Sequence, residues 1–343
     1  MLIVRVGAMG DVLHAMPAVS AMRRAHPDWW IGWVIEPRWM PLLCNAMPDR
    51  GMPERGGSMP LVDAVYLAQT RNWKRHPFSP QTMYDIKLLR GKLRGDHYDL
   101  CVDMQGSIRS AVIGRMAGAD EFVGEANPRE RPAAWLYHRS IRTGASHVIE
   151  QGCELLGTAI GETLTPARVE LPLEARAEER CLPLLESANN IVLIAPGAGW
   201  GAKQWPAERY GAVAAGLAAQ GYRVLVSAYS SRDALGQAVV EASHGAASIF
   251  PSNLAELIAI TRRASLVIAG DTGPLHLAAA LERPVVALFG PTDPARNGPY
   301  GTRSRVLRHG PERRDHRRLS DPEEGLLAIT VEEVIEAAVE MLR

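Results

Sequence analysis

The sequence predicts an α/β chain folded as two Rossmann-like domains in tandem, facing one another. Three observations carry this. Short β-rich apolar runs alternate with helical stretches, the pattern of parallel strands joined by crossover helices. The scheme then restarts midway: residues 2–6 and 191–195 both read as buried first strands running into a Gly-rich loop and a helix. Finally, 343 residues exceed one ordinary domain and suit two of roughly 100–200 residues each.

In the first half, strands are expected at 2–6, 31–35, 64–67, 100–104 and 121–123, with helices over 11–25, 81–93, 108–116 and 147–156. In the second half strand 191–195 leads to helix 207–219, strand 223–227 and helix 233–242. Strand 248–250, helix 254–263, strand 266–269, helix 275–281 and strand 285–289 follow. The boundary falls between about 161 and 190, where Pro166, Pro172, an acidic run over 174–179 and Pro183 break the rhythm. Segment 303–318 is Arg-rich and poor in apolar residues, hence a loop. An amphipathic helix over 331–342 closes the chain, with Val334, Ile335, Ala338 and Met341 on one stripe.

Composition narrows the function. Apolar residues make up 47% and charged residues 22%, a globular balance. Lys plus Arg and Asp plus Glu both number 38, so net charge gives no reason to expect nucleic acid. Cys44, Cys101, Cys153 and Cys181 are far apart and form no C-x-x-C pair, which argues against a zinc site and a disulfide framework. The apolar start is interrupted at once by Gly10 and Asp11, and no run of ~18 apolar residues occurs. A cytoplasmic protein that meets a membrane only from its surface is expected.

Gly7-Ala8-Met9-Gly10-Asp11 ends the first strand and is not G-x-G-x-x-G, so a nicotinamide dehydrogenase is a weak reading. It places an acidic side chain at a helix start, where strand ends aim at ligands. Asp11 fits a helix cap and a catalytic base alike. Pro196-Gly197-Ala198-Gly199-Trp200-Gly201-Ala202-Lys203 offers glycines for close backbone approach to a phosphate and a lysine to charge-match it, or else is a flexible surface loop. Gly270-Asp271-Thr272-Gly273-Pro274, with His276 on the helix that follows, is a second anion site at an equivalent strand end, although Asp271 could be only a cap. Lys203 and this loop should converge on one anion. The aspartates at 96, 99 and 103 form no D-x-D pair, so no clamped divalent metal and no cofactor is expected. Between Arg71 and Arg94 seven basic residues, among them Lys74 and Arg75, face the single acid Asp85, with Trp73 and Phe78 interleaved. This is a solvated face, or a surface for an anionic acceptor or lipid.

Taken together, five ordered segments resemble glycosyltransferase family 9, the ADP-heptose:lipopolysaccharide heptosyltransferases, and within it the heptosyltransferase I branch. They are residues Ile3 to His14, Tyr98-Asp99 through Val102-Asp103-Met104-Gln105-Gly106, Lys203-Gln204-Trp205-Pro206, Asp271 to Leu277, and Phe289-Gly290-Pro291-Thr292-Asp293-Pro294. Arg71-Asn72-Trp73-Lys74 looks like that branch's basic acceptor-facing segment. The resemblance implies a GT-B fold with an acceptor domain over 1–165, a linker over 166–190 and a donor domain over 191–343. The closing helix would pack back on the N-terminal domain. It implies inverting, metal-independent transfer from a nucleotide-diphosphate sugar, ADP-heptose, to an anionic glycolipid at the inner face of the cytoplasmic membrane. Asp11 would be the base and Lys203 would neutralise the leaving diphosphate. Gly199, Asp271, Thr272, Gly273 and His276 would hold the donor, with Asp233 on the ribose. Gly10, Arg71, Lys74 and Arg75 would meet the acceptor. Ala198 and Gly199 stand where the branch carries hydroxyls, so backbone N–H groups must bind the phosphates, and Asp233 replaces a longer Glu. Other readings are a GT-B enzyme using a UDP-sugar and a non-catalytic nucleotide-sugar or glycan-binding module.

Overall fold

The computed structural model describes residues 1–45, 57, 59–186, 190–310 and 321–343. The chain divides into two compact units, Met1–Leu173 and Glu174–Arg343.

Unit 1 runs β1 (Leu2–Val4), α1 (Met9–Ala25), β2 (Gly32–Ile35), β3 (Ala64–Leu67), α2 (Thr70–Arg75), α3 (Pro80–Gly95), β4 (Leu100–Asp103), α4 (Ile108–Ala117), β5 (Glu121–Glu125), β6 (Arg139–Ile141) and α5 (Val148–Ile160), with 3₁₀ turns at Pro37–Leu42 and Arg131–Leu136. Unit 2 runs α6 (Ala175–Glu186), β7 (Ile191–Ala195), α7 (Ala207–Ala218), β8 (Arg223–Ala228), α8 (Ala234–Ala242), β9 (Ala247–Pro251), α9 (Leu254–Arg263), β10 (Leu266–Gly270), α10 (Gly273–Ala280), β11 (Val285–Leu288), α11 (Pro294–Asn297), β12 (Ser304–Leu307), α12 (Glu324–Leu327) and α13 (Val331–Leu342).

Among the described residues each unit holds one six-stranded sheet, ordered β3-β2-β1-β4-β5-β6 and β12-β11-β10-β7-β8-β9, with every pairing parallel. Both follow the doubly wound order, in which the first and fourth strands lie side by side and the chain reverses its direction of winding between them. The central strands are buried on both faces and therefore read as unbroken apolar runs rather than alternating ones. This is the two-Rossmann α/β architecture of GT-B enzymes.

Two expectations are corrected. The Arg-rich segment was expected to be loop, yet Ser304–Leu307 pairs parallel with β11 as an edge strand. Edge strands are short and solvated, so its apolar signal is weak; residues 311–318 of that segment lie outside the described residues. The proline and acid-rich stretch before 190 holds helix α6, which turns Ala177 and Cys181 into the second core and packs on α9. The closing helix α13 lays its buried face, Val334, Ala337, Ala338 and Met341, on α7 and the second sheet.

Candidate active site

In unit 1 the loops after β1, β2, β3 and β4 are knitted together at the carboxyl ends of the strands. β1 and β4 pair in register, Val4 opposite Asp103, so their loops emerge adjacent. Gln105 uses this adjacency: its Oε1 accepts from the amides of Val6 (2.8 Å) and Gly7 (3.3 Å). Behind it, buried Asp103 accepts from the amides of Gln105 and Gly106 and from the hydroxyls of Ser110 and Tyr137, at 2.8–3.1 Å. Burial pushes its carboxyl up, and those donors only partly offset the effect.

Asp11 occupies the first turn of α1, and Gly10 the position before it. One Asp11 oxygen accepts from the Ala8 amide at 3.0 Å, and the other faces the Arg5 guanidinium at 3.2 Å. Arg5 is fixed in turn by donating to the backbone oxygens of Asp11 and Met104. The Asp11 side chain is 36% exposed, so it caps its helix and still presents carboxylate to solvent. The Trp39 indole lies against Gly7, where a Cβ would meet its Nε1 at 2.6 Å.

Glu36, buried at the end of β2, orders α2: its carboxylate accepts from the Thr70 hydroxyl (3.1 Å) and the Arg71 amide (2.9 Å), while Arg109 donates to Thr70. Trp73 is tucked into the first core, and Arg71, Lys74 and Arg75 are left exposed.

In unit 2 the corresponding switch lies between β7 and β10, in register at Ala195 and Ala269. Here Lys203 and Asp271 meet. Lys203 Nζ donates to the Asp271 carboxylate and lies 4.3 Å from the Trp200 ring centroid. The Thr292 hydroxyl, arriving from the loop after β11, donates to the same carboxylate at 2.6 Å, and His276 Nε2 lies 3.2 Å from its other oxygen. All three ionisable side chains are less than 10% exposed. Lys203 is therefore no solvated surface lysine, and Asp271 does more than cap α10. Burial disfavours the ionised carboxyl. The His276 hydrogen bond and charge, then the Lys203 charge and hydrogen bond, outweigh it and hold Asp271 far below the usual carboxylate range.

Of the first-turn amides of α10, those of Leu275 and His276 already donate to the Thr272 oxygen, and Pro274 has none. Those of Thr272 and Gly273 remain the donors nearest the loop. Gly197 and Gly199 have open space where a Cβ would project, so no protein neighbour requires glycine at either position. Asp233 N-caps α8, accepting from the Gly236 amide at 2.8 Å. The sequence alone singles out no role for Thr292, Trp200 or Glu36. Thr292 and Trp200 lie inside recognisable segments, but nothing local says what they touch. Glu36 leaves only a faint trace, an acid closing an apolar strand.

Comparison with known proteins identifies the family. The family model "Glycosyltransferase family 9 (heptosyltransferase)" matches residues 86–326. Lipopolysaccharide heptosyltransferase 1 of Escherichia coli strain K12 is 28% identical over 318 residues, covering 90% of this chain and 92% of that protein. The Pseudomonas aeruginosa protein of the same name is 28% identical over 309 residues, covering 89% and 82%. Among solved structures, the E. coli heptosyltransferase WaaC with ADP-2-deoxy-2-fluoro heptose superposes with a TM-score of 0.76 at 25% identity, over 99% of this chain and 98% of that one. With two doubly wound units, a buried Lys–Asp–His cluster at one switch point and a presented carboxylate at the other, the chain belongs to glycosyltransferase family 9, the heptosyltransferase family, and is a glycosyltransferase.

Proposed function

We propose that the chain transfers heptose from ADP-heptose to the inner core of a Kdo-lipid A type acceptor, with inversion and without a metal ion. The observation that carries this reading is the cluster of Lys203, Asp271, His276 and Thr292 at the switch point of the second sheet. The names of the relatives, and the ADP-2-deoxy-2-fluoro heptose that accompanies WaaC, supply the substrate class. Unit 1 takes the acceptor and unit 2 the donor.

In this mechanism the acceptor hydroxyl gives its proton to Asp11 as its oxygen attacks the anomeric carbon, and ADP departs. A carboxylate has about four lone-pair sites. The Ala8 amide and Arg5 occupy two of them, which leaves Asp11 able to cap its helix and accept a third hydrogen. Arg5 fixes the orientation, and the Gln105 anchor fixes the loop that carries it. On the donor side, Lys203 is shared between Asp271 and the leaving diphosphate. The amides of the Gly199 loop, Thr272 and Gly273 complete the anion site. Asp271 and His276 reach sugar hydroxyls, and Asp233 the ribose. The charge on the leaving group is met by Lys203 and fixed dipoles, so the transfer requires no divalent cation. Arg71, Lys74 and Arg75 meet the anionic acceptor. That acceptor is a glycolipid, so the enzyme works peripherally at the inner membrane face; no described helix is long and apolar enough to cross a membrane.

Titration calorimetry with ADP, UDP, GDP and NAD, with and without magnesium, tests the donor assignment. ADP should bind tightest, and its affinity should not change with magnesium. A preference for UDP would move the function to another sugar-nucleotide enzyme of the same fold.

A further inference from the structure

The exposed apolar side chains are not spread evenly over this molecule. Of the thirteen large ones exposed among the described residues, seven fall between residues 78 and 135, on α3, α4 and the segments beside them. Phe78, in the turn before α3, is 94% exposed, and Trp135, in the 3₁₀ turn after β5, is 84% exposed. Tyr84 and Leu88 on α3 and Ile108 and Val112 on α4 add an aliphatic and aromatic ridge. α3 packs beside α4, and the 3₁₀ turn packs on α4, so these groups lie on neighbouring elements.

The position of these elements matters as much as their exposure. The turn before α3 follows β3 and α2, α4 follows β4, and the Trp135 turn follows β5. Phe78, Ile108 and Trp135 therefore stand towards the carboxyl ends of the strands, the end that carries Asp11 and the basic α2.

The charge around the ridge is predominantly positive, with Asp85 and the exposed Glu130, which accepts from the Ile108 amide, among its acids. α3 carries Lys87, Arg90, Lys92 and Arg94 against the single acid Asp85, which already accepts from Gln81, and α4 carries two arginines and no acid. Tyr84, Lys87, Leu88, Gly91 and Lys92 line one shallow apolar groove along α3. An isologous dimer through this face would set the same cations against each other. A bilayer with anionic headgroups fits instead: its phosphates match the lysines and arginines, and its interface accepts exposed aromatic rings.

We infer that the α3–α4 face of unit 1, with Phe78 and Trp135 as aromatic anchors and Lys87, Arg90 and Lys92 as headgroup contacts, docks this enzyme on an anionic phospholipid surface. Docked in this way, the carboxyl end of the first sheet meets the membrane that holds the lipid end of the acceptor. This deepens the peripheral membrane reading above and rests on it.

Flotation of the full chain with vesicles of phosphatidylglycerol and of phosphatidylcholine tests the proposal. The expected result is binding to phosphatidylglycerol that weakens with salt, and much weaker binding to phosphatidylcholine. K87E/K92E should weaken partitioning about tenfold or more, and F78S/W135S should weaken it comparably, with unfolding temperature and ADP affinity unchanged. Phosphatidylglycerol binding that is absent, indifferent to lipid charge, or untouched by both pairs of substitutions would overturn it. So would a dimer in light scattering that either pair dissolves. ADP binding and transfer to a detergent-solubilised acceptor are measured separately, so a failed docking surface is distinguishable from a failed assignment of the reaction.

Discussion

Asp271 collects three side-chain partners in a buried place, and its removal is expected to destabilise unit 2 strongly. Asp271→Ala leaves Lys203 buried beside His276 with no counter-charge, a loss of about 3–5 kcal/mol by the usual cost of breaking a buried pair. Denaturant unfolding checks this. The pH dependence has a definite sign. A carboxyl whose folded pKa lies below its unfolded value of about 3.9 adds stability that is fully present above that value. This contribution shrinks as pH falls below the unfolded value and is gone once pH has fallen through the depressed folded value, so the gap between wild type and Asp271→Asn should be constant above about pH 5 and narrow steadily in more acid solution. Asp11 behaves differently because it is presented rather than buried. Asp11→Ala should cut the transfer rate about 10²–10⁴-fold, the worth of a general base, while calorimetric ADP affinity stays unchanged. A variant keeping more than about a tenth of the rate would remove Asp11 as the base.

At the scale of elements, α2 is a six-residue helix held at its start by one buried carboxylate. Glu36 replaces the cap that α2 lacks, binding both the Thr70 hydroxyl and the Arg71 amide. Glu36→Ala should therefore raise hydrogen exchange in α2 and raise KM for the acceptor several-fold, leaving ADP affinity alone. Exchange without that KM change would detach α2 from acceptor binding. Neither α2 nor Glu36's role was legible in the sequence: six residues give too little periodicity, and the carboxylate acts across 34 positions of chain. By contrast, α9, with its N-capping Asn253 and its apolar residues on one face, was readable to the residue, as were β3, β7 and α13. Strand β12 and helix α6 escaped because a solvated edge strand and a helix containing Pro183 both carry misleading local composition.

At the scale of the whole molecule, the doubly wound order is used twice, and each copy sets its candidate site residues at the same topological place. The proposed division of labour predicts where a donor acts. ADP should protect amides at 196–204 and 271–276 from hydrogen exchange and leave those at 5–11 unprotected until an acceptor is present. Protection of the β1 loop by ADP alone would contradict the assignment of donor to unit 2.

Local composition and spacing in the sequence determined most of the strands and helices, the restart at residue 191 and the small-residue loops, because apolar period and turn chemistry act between near neighbours. The order of the segments also carried the family. Only the tertiary structure decided that Lys203 and Asp271 form a buried pair joined by Thr292, that Gln105 holds the loop before Asp11, and that Glu36 reaches α2. Those contacts span tens of residues. They exist because parallel pairing sets the ends of non-consecutive strands side by side, and no local pattern records which ends will meet.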